Sequence, residues 1–134
     1  MGKLYIKKIY LRDTDSTGVL YFTELLRLSV ELFEDIVRVK WQEGRYLFPI
    51  VHAEADYKAP LYAGEEVMIK PCLERKGEHS FTLSYLFTKA EKEVGKTILV
   101  HAVVDRKNFT KQLLTPEIGH FLHVFVPESP DLHI

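Results

Sequence analysis

Cysteine is almost absent from this chain. The 134 residues include one, Cys72, which can form no internal disulfide and no zinc site and fits a reducing compartment. A cytoplasmic location is therefore the expectation. Cys72 lies in VMIKPCLE among apolar neighbours with no histidine close in sequence, so it reads as a small strand residue rather than a nucleophile. Long apolar runs are missing too. No window approaches the roughly 18 consecutive apolar residues of a membrane-spanning helix, and the N-terminal MGKLYIKKIYLRD alternates too much for a signal peptide. Excess charge is lacking as well, because a formal net charge of −1 creates no field that would recruit nucleic acid or an anionic membrane. Repeats, linkers and low-complexity segments are not found. One domain over residues 1–134 is expected, with 46% apolar residues available for its core.

What is present is a change of hydrophobic period. KLYIKKIYL alternates as a strand and is followed by the acidic turn from Asp13 to Gly18. From about residue 20 to 40 the apolar residues Phe22, Leu25, Leu26, Leu28, Leu32, Phe33, Ile36 and Val37 recur at helical steps. Glu24, Arg27, Glu31, Glu34 and Arg38 form the opposite stripe, with Arg27 and Glu31, and Glu34 and Arg38, spaced for ion pairs; Gly44 is the expected stop. Period two then returns in IVHAEADYKAP, in EEVMIKPCLERK and in SFTLSYLF. Pro71 predicts an edge position or a bulge. KAEKEVGK reads as a hairpin connection, and TILVHAVVD as a central strand covered on both faces. Thr115, Pro116 and Glu117 give an N-cap, a first-turn proline and an acid that open a short closing helix. The class is α+β: one long helix lies across an antiparallel sheet of about five strands. An exposed edge strand would favour self-association.

The acidic turn admits three readings. With Asp13 as first position, Asp15, Thr17, Gly18 and Glu24 fall where an EF-hand loop puts its third, fifth, sixth and twelfth residues. That loop needs a helix on both sides, whereas the residues before Asp13 alternate as a strand, and no second loop exists. The spacing is a coincidence, and no metal is expected. In the second reading the turn is catalytic. The first amides of the following helix lack internal partners and carry partial positive charge, so they can polarise a carbonyl beside a carboxylate that attacks it or activates water. In the third reading both acids merely cap the turn.

The stretch D-T-D-S-T-G-V-L-Y-F resembles the signature of the 4-hydroxybenzoyl-CoA thioesterase family, in which D-x-D-x-x-G, two aliphatics and an aromatic lead into the long helix of a hotdog fold. HAEADYKAPLYAGEEVMI is similar to the second strand and proline-containing connection of that family, and VHAVVDRKN to its last long strand. The resemblance implies a hotdog thioesterase acting on an aromatic or fatty acyl-CoA, with CoA entering as part of the substrate and no separate cofactor. It implies a homodimer or homotetramer, since such sites resemble ones built at subunit interfaces. By position it implies Asp15 as nucleophile or general base, Gly18 as the residue that permits the bend, and a backbone amide near Phe22 as oxyanion donor. Tyr21 would line the acyl pocket and Asp13 would fix the turn. Many bacterial members with a Y-H-A-N-Y continuation have His where this chain has Phe22 and Asn where it has Glu24. That departure motivates one alternative, a non-catalytic acyl-CoA-binding module; a second, a thioesterase acting on acyl carrier protein, would require a basic rim around the pocket.

Three further groups are weighed against plain structural roles. His52, Glu54 and Asp56 share one strand face at a spacing that could hold a metal, but a solvated face or subunit contact suffices. His101 lies within an apolar strand and reads as a core residue. Arg75, Lys76 and His79 cluster around the Gly77 turn, where a CoA phosphate could bind.

Overall fold

Backbone hydrogen bonding in the computed structural model, which describes residues 4–43 and 45–126, is organised around one antiparallel sheet. Its strands are β1 (Tyr5–Lys8), β3 (Ile50–Tyr57), β4 (Glu66–Lys76), β5 (Ser80–Lys89) and β6 (Lys92–Ala102). They stand in the order β1-β4-β5-β6-β3. A two-stranded ribbon of β2 (Tyr46–Leu47) and β7 (Val104–Asp105) lies apart from them. The helices are α1 (Glu24–Glu43) and α2 (Pro116–Phe121), with 3-10 turns at Leu11–Asp13 and Leu122–Phe125.

The helical period places Leu25, Leu28, Leu32, Phe33 and Val37 on one buried face of α1. They pack on the inward side chains of the sheet, among them Phe81, Leu83, Tyr85 and Phe87 of β5 and Leu99 of β6. The fit is close enough that β6 carries a glycine beneath α1: a Cβ on Gly95 would come within 2.8 Å of Leu25 Cδ1. One polar contact is sealed inside, where Ser29 Oγ donates to the Leu25 carbonyl at 2.8 Å and meets Thr97 Oγ1 at 2.7 Å. His101 is also buried, stacked against Phe33 and Phe81, with Nδ1 2.9 Å from the Phe48 carbonyl. Burial holds its imidazole below the usual histidine range.

Several sequence expectations need correction. The helix starts at Glu24, not near residue 20, and Phe22 stands outside it, 63% exposed. The cause is long-range pairing: Leu20 donates to the Leu61 carbonyl and Val19 bridges Tyr62, so residues 19–20 are drawn into extended structure. KAEKEVGK is mostly strand, with the reversal confined to Ala90 and Glu91, both at positive φ as in a two-residue hairpin turn. The middle of the sheet is β5, and on the outer face of β6 Ile98, Val100 and Ala102 are only half-buried. Pro71 lies in an interior strand, but β1 pairs only as far as Ile69, so among the described residues no ladder partner stands beside it on that side. A bulge follows between Leu73 and Arg75. The Gly44 stop and the pairing of Glu34 with the Arg38 side chain lie outside the described residues.

Candidate active site

The acidic turn is a small loop folded back on itself. Asp15 N–H donates to the Val19 carbonyl at 2.8 Å, Thr14 bridges Leu20, and Tyr21 N–H donates to the Asp13 carbonyl at 3.3 Å. Gly18 closes the reversal at φ +80, a conformation that costs glycine little, and its amide donates to the Asp15 carbonyl at 3.1 Å. The segment that follows β3 clasps the loop from outside: Ala63 N–H donates to the Gly18 carbonyl at 3.2 Å, and the Leu61 carbonyl accepts from the Leu20 amide at 2.7 Å.

The two acids of this loop face different surroundings. Asp13 is 4% exposed. Its Oδ1 accepts from Arg27 Nη2 at 2.9 Å and its Oδ2 from the Tyr10 amide at 2.9 Å, so both oxygens are occupied. Asp15 is half-exposed, and every donor falls on Oδ1: the Thr17 hydroxyl, the Thr17 amide at 2.7 Å and the Val19 amide at 3.3 Å. Oδ2 has no hydrogen-bond partner among the described residues. The Thr17 hydroxyl, then the Thr17 amide, hold the Asp15 carboxyl below the ordinary range against a weaker opposing effect of desolvation, with the Val19 amide adding to the lowering. It is an anion at neutral pH.

The amides come next. Tyr21 N–H is taken by Asp13, and from Glu24 onward the amides enter the helical ladder, with Glu24 N–H on the Tyr21 carbonyl at 2.9 Å. Between them the amides of Phe22 and Thr23 donate to no acceptor among the described residues. Two backbone donors without acceptors thus precede α1, a few residues beyond a carboxylate with one oxygen to spare. Such a set can polarise a carbonyl and deliver an anionic oxygen or an activated water to it. The side chains of Tyr21, Phe22 and Tyr62 are 51%, 63% and 46% exposed and offer an aromatic surface beside the turn.

Asp15, Gly18, Tyr21 and Phe22 are therefore brought into one locality. Arg75, Lys76 and His79 are not. They sit at the far end of β4 and the start of β5, whereas residues 61–65, which clasp the Asp15 loop, precede β4. Eleven residues of strand separate the two ends, roughly 30 Å at strand rise. His79 is also engaged there, with Nδ1 3.0 Å from the Gln112 carbonyl. His52 is paired with Glu54 at 3.0 Å on an exposed face, and among the described residues no group of three or more His, Cys, Asp or Glu is placed to hold a metal. A cleft of about 420 Å3 lies between β1 and α1, but Tyr5, Leu32, Ile36 and the rest of its lining include no residue of the turn. Sequence reasoning missed Thr17, the Thr23 amide and the reach of Arg27 to Asp13, fourteen residues away in the chain. Only the Asp-x-Thr spacing carried a readable signal, that of an Asx turn.

No family model matches the chain. A 1,4-dihydroxy-2-naphthoyl-CoA hydrolase of Nostoc punctiforme is 30% identical over 129 residues, spanning 91% of this chain and 87% of the relative. Its counterpart in Trichodesmium erythraeum is 28% identical over 135 residues, spanning 93% and 98%. Among solved structures, a 1,4-dihydroxy-2-naphthoyl-CoA thioesterase from Synechocystis superposes with a TM-score of 0.78 at 23% identity, over 90% of this chain and 94% of that one. A gentisyl-coenzyme A thioesterase does so with a TM-score of 0.78 at 20% identity, over 88% and 99%. The structural likeness gives the fold, and the Nostoc relative, matched nearly end to end, gives the family. The chain belongs to the hotdog acyl-CoA thioesterases and is a hydrolase of CoA thioesters.

Proposed function

We propose that the protein hydrolyses an aromatic acyl-CoA to the free acid and CoA, with Asp15 Oδ2 as the reacting oxygen and the Phe22 and Thr23 amides as oxyanion donors. The observation that carries this reading is the asymmetry of Asp15, whose Oδ1 takes three donors while Oδ2 takes none among the described residues. One pinned oxygen fixes the carboxylate plane, and the other stays available to the thioester carbonyl or to a water molecule. In either route a bond forms at the carbonyl carbon, the carbonyl oxygen becomes an oxyanion held by the amides, and the C–S bond breaks as the thiolate leaves. If Oδ2 attacks directly, water then cleaves the mixed anhydride and frees the carboxylate. The aromatic preference is supported by the named substrates of the naphthoyl- and gentisyl-CoA relatives and by the exposed rings of Tyr21, Phe22 and Tyr62. CoA enters as part of the substrate, and the proposed chemistry uses no other cofactor.

We read α1 as the long helix around which the hotdog sheet curves. The active unit in this reading is a homodimer or homotetramer in the cytoplasm. The support is β3, an edge strand whose first five residues are exposed on both faces. A second copy is also what a phosphate role for Arg75, Lys76 and His79 requires, since within one protomer they stand a strand length from Asp15.

Hydrolysis of a panel of aryl- and alkyl-CoA thioesters by wild type and Asp15→Asn tests the proposal. The expected loss in the variant is about 100-fold in kcat, the range over which general-base or nucleophile removal acts. Equal rates for the two proteins would remove Asp15 from the mechanism. A higher kcat/KM for long alkyl than for aryl thioesters would overturn the aromatic assignment alone.

A further inference from the structure

We infer that Arg27 is a positioning residue for this reaction, acting through Asp13 to hold the oxyanion amides in register with Asp15; this rests on the site proposed above. The two free amides lie on a short bridge of chain whose ends are both fastened to one residue. At the near end, Tyr21 N–H donates to the Asp13 carbonyl at 3.3 Å. At the far end, Arg27 Nη2 donates to Asp13 Oδ1 at 2.9 Å. Phe22 and Thr23 lie between these anchors. Asp13 is itself fixed, because Oδ2 accepts the Tyr10 amide at 2.9 Å and its own N–H donates to the Tyr10 carbonyl at 2.9 Å. Asp15 follows Asp13 by two residues, so carboxylate and amides are referred to the same point.

Arg27 is suited to this task by its fork. Nε donates to Glu24 Oε1 at 2.6 Å, Nη1 to Glu31 Oε2, and Nη2 to Asp13, so the guanidinium is oriented by the helix before it reaches across. The Asp13 side chain is 6% exposed and that of Arg27 37%, which shields the pair from solvent far more than a surface ion pair is shielded. Among the described residues the Arg27 side chain hydrogen-bonds to Glu24, Glu31 and Asp13 and to neither Asp15 nor the two amides, so its effect on the reaction is one of placement. Oxyanion donors act more strongly on the transition state than on the ground-state carbonyl, and a misplacement of about 1 Å can cost about 100-fold in rate.

Steady-state kinetics of Arg27→Met, Arg27→Lys, Asp13→Asn and the Arg27→Met/Asp13→Asn double variant on an aryl-CoA test this, with melting curves to count folded molecules. The expected result is a kcat per folded molecule about 100-fold lower for Arg27→Met at nearly constant KM. Arg27→Lys, which keeps the charge but loses the fork, should recover part of that loss. The double variant should be no worse than the poorer single one, as for residues acting through one contact. Because no donor to Asp15 comes from Arg27, the acid limb of the pH profile should stay in place. Unchanged kcat per folded molecule in Arg27→Lys and Asp13→Asn, or losses confined to KM or to melting temperature, would overturn the inference. The Asp15→Asn result tells the two ideas apart: a silent Arg27 series with an inactive Asp15→Asn leaves the site standing and removes only the strut.

Discussion

Gly95→Ala tests how tightly the start of α1 is seated on the sheet. The added Cβ would lie 2.8 Å from Leu25 Cδ1 and 3.0 Å from the Asp56 carbonyl oxygen, both shorter than ordinary van der Waals contact. Leu25 is 0% exposed, so its methyl group has no open space to enter, and the Asp56 oxygen is backbone within the β3–β6 pairing. Overpacking of this kind costs about 1–3 kcal/mol. Against it stands a gain of about 0.4–1 kcal/mol, because alanine has less unfolded-state entropy to lose than glycine. The net expectation is a loss of about 1–2 kcal/mol. For a chain of this length that lowers the melting temperature by roughly 3–8 °C. Urea unfolding at 25 °C should show a lower midpoint with an unchanged m-value. Leu25 is also the first buried residue after the Phe22 and Thr23 amides, so thioester hydrolysis should fall under conditions where the variant is still folded. A variant as stable as wild type, or more stable by only the unfolded-state gain, would refute the reasoning: the contact would then relax freely and the helix start would not be held there.

Two other predictions concern titration. Thr17→Val removes the hydroxyl that most strongly holds the Asp15 carboxyl below its usual range, so the acid limb of the kcat/KM profile should move to higher pH, and an unmoved limb would detach Thr17 from the site. Burial lowers the folded-state pKa of His101, so the unfolded chain takes up its proton first: this contribution to stability is complete above the unfolded value of about 6.5 and is lost as pH falls from there through the lowered folded value. Urea unfolding at several pH values should give a shallower acid-side decline for His101→Phe, which keeps the stacking on Phe33 and Phe81; parallel curves would show that other groups set the decline.

The parts of this fold that repeat locally were legible, and the parts set by distant pairing were not. Leu25, Leu28, Leu32, Phe33 and Val37 announce the buried face of α1 by spacing alone. The same spacing runs back to Phe22 and Leu20, yet Val19, Leu20 and Tyr21 are claimed by Tyr62, Leu61 and Asp13, partners that no local window contains, and Phe22 is left outside the helix. The ribbon of Tyr46–Leu47 with Val104–Asp105 is too short to carry a period. At the candidate site, Asp15 stands out in the sequence by its motif and Gly18 by the need for a bend, and the two lie in one loop. The cluster of Arg75, Lys76 and His79 was equally visible, but proximity in sequence said nothing about which end of β4 it occupies. Arg27 was assigned only to Glu31 because a helical neighbour is readable from spacing, while a contact across the loop to Asp13 is not.

The division of work between Asp13 and Asp15 follows from burial and from which oxygens the donors engage rather than from position in a motif. An acid whose two oxygens are both accepting, one from a guanidinium and one from a backbone amide, has no oxygen left for substrate without breaking a buried pair. An acid whose donors converge on one oxygen keeps the other. Exchanging the roles would require Arg27 to release Asp13, which would also release one anchor of the proposed oxyanion amides. The same reasoning bears on Phe22. Phe22 is 63% exposed and fills no part of the core, whereas the oxyanion donor proposed at that position is its N–H, which every residue but proline supplies. A phenylalanine where the resembled signature can carry histidine therefore leaves the proposed donor in place. It changes the surface that an acyl group meets, and it is in substrate preference, measured across aryl- and alkyl-CoA thioesters, that Phe22→His should register.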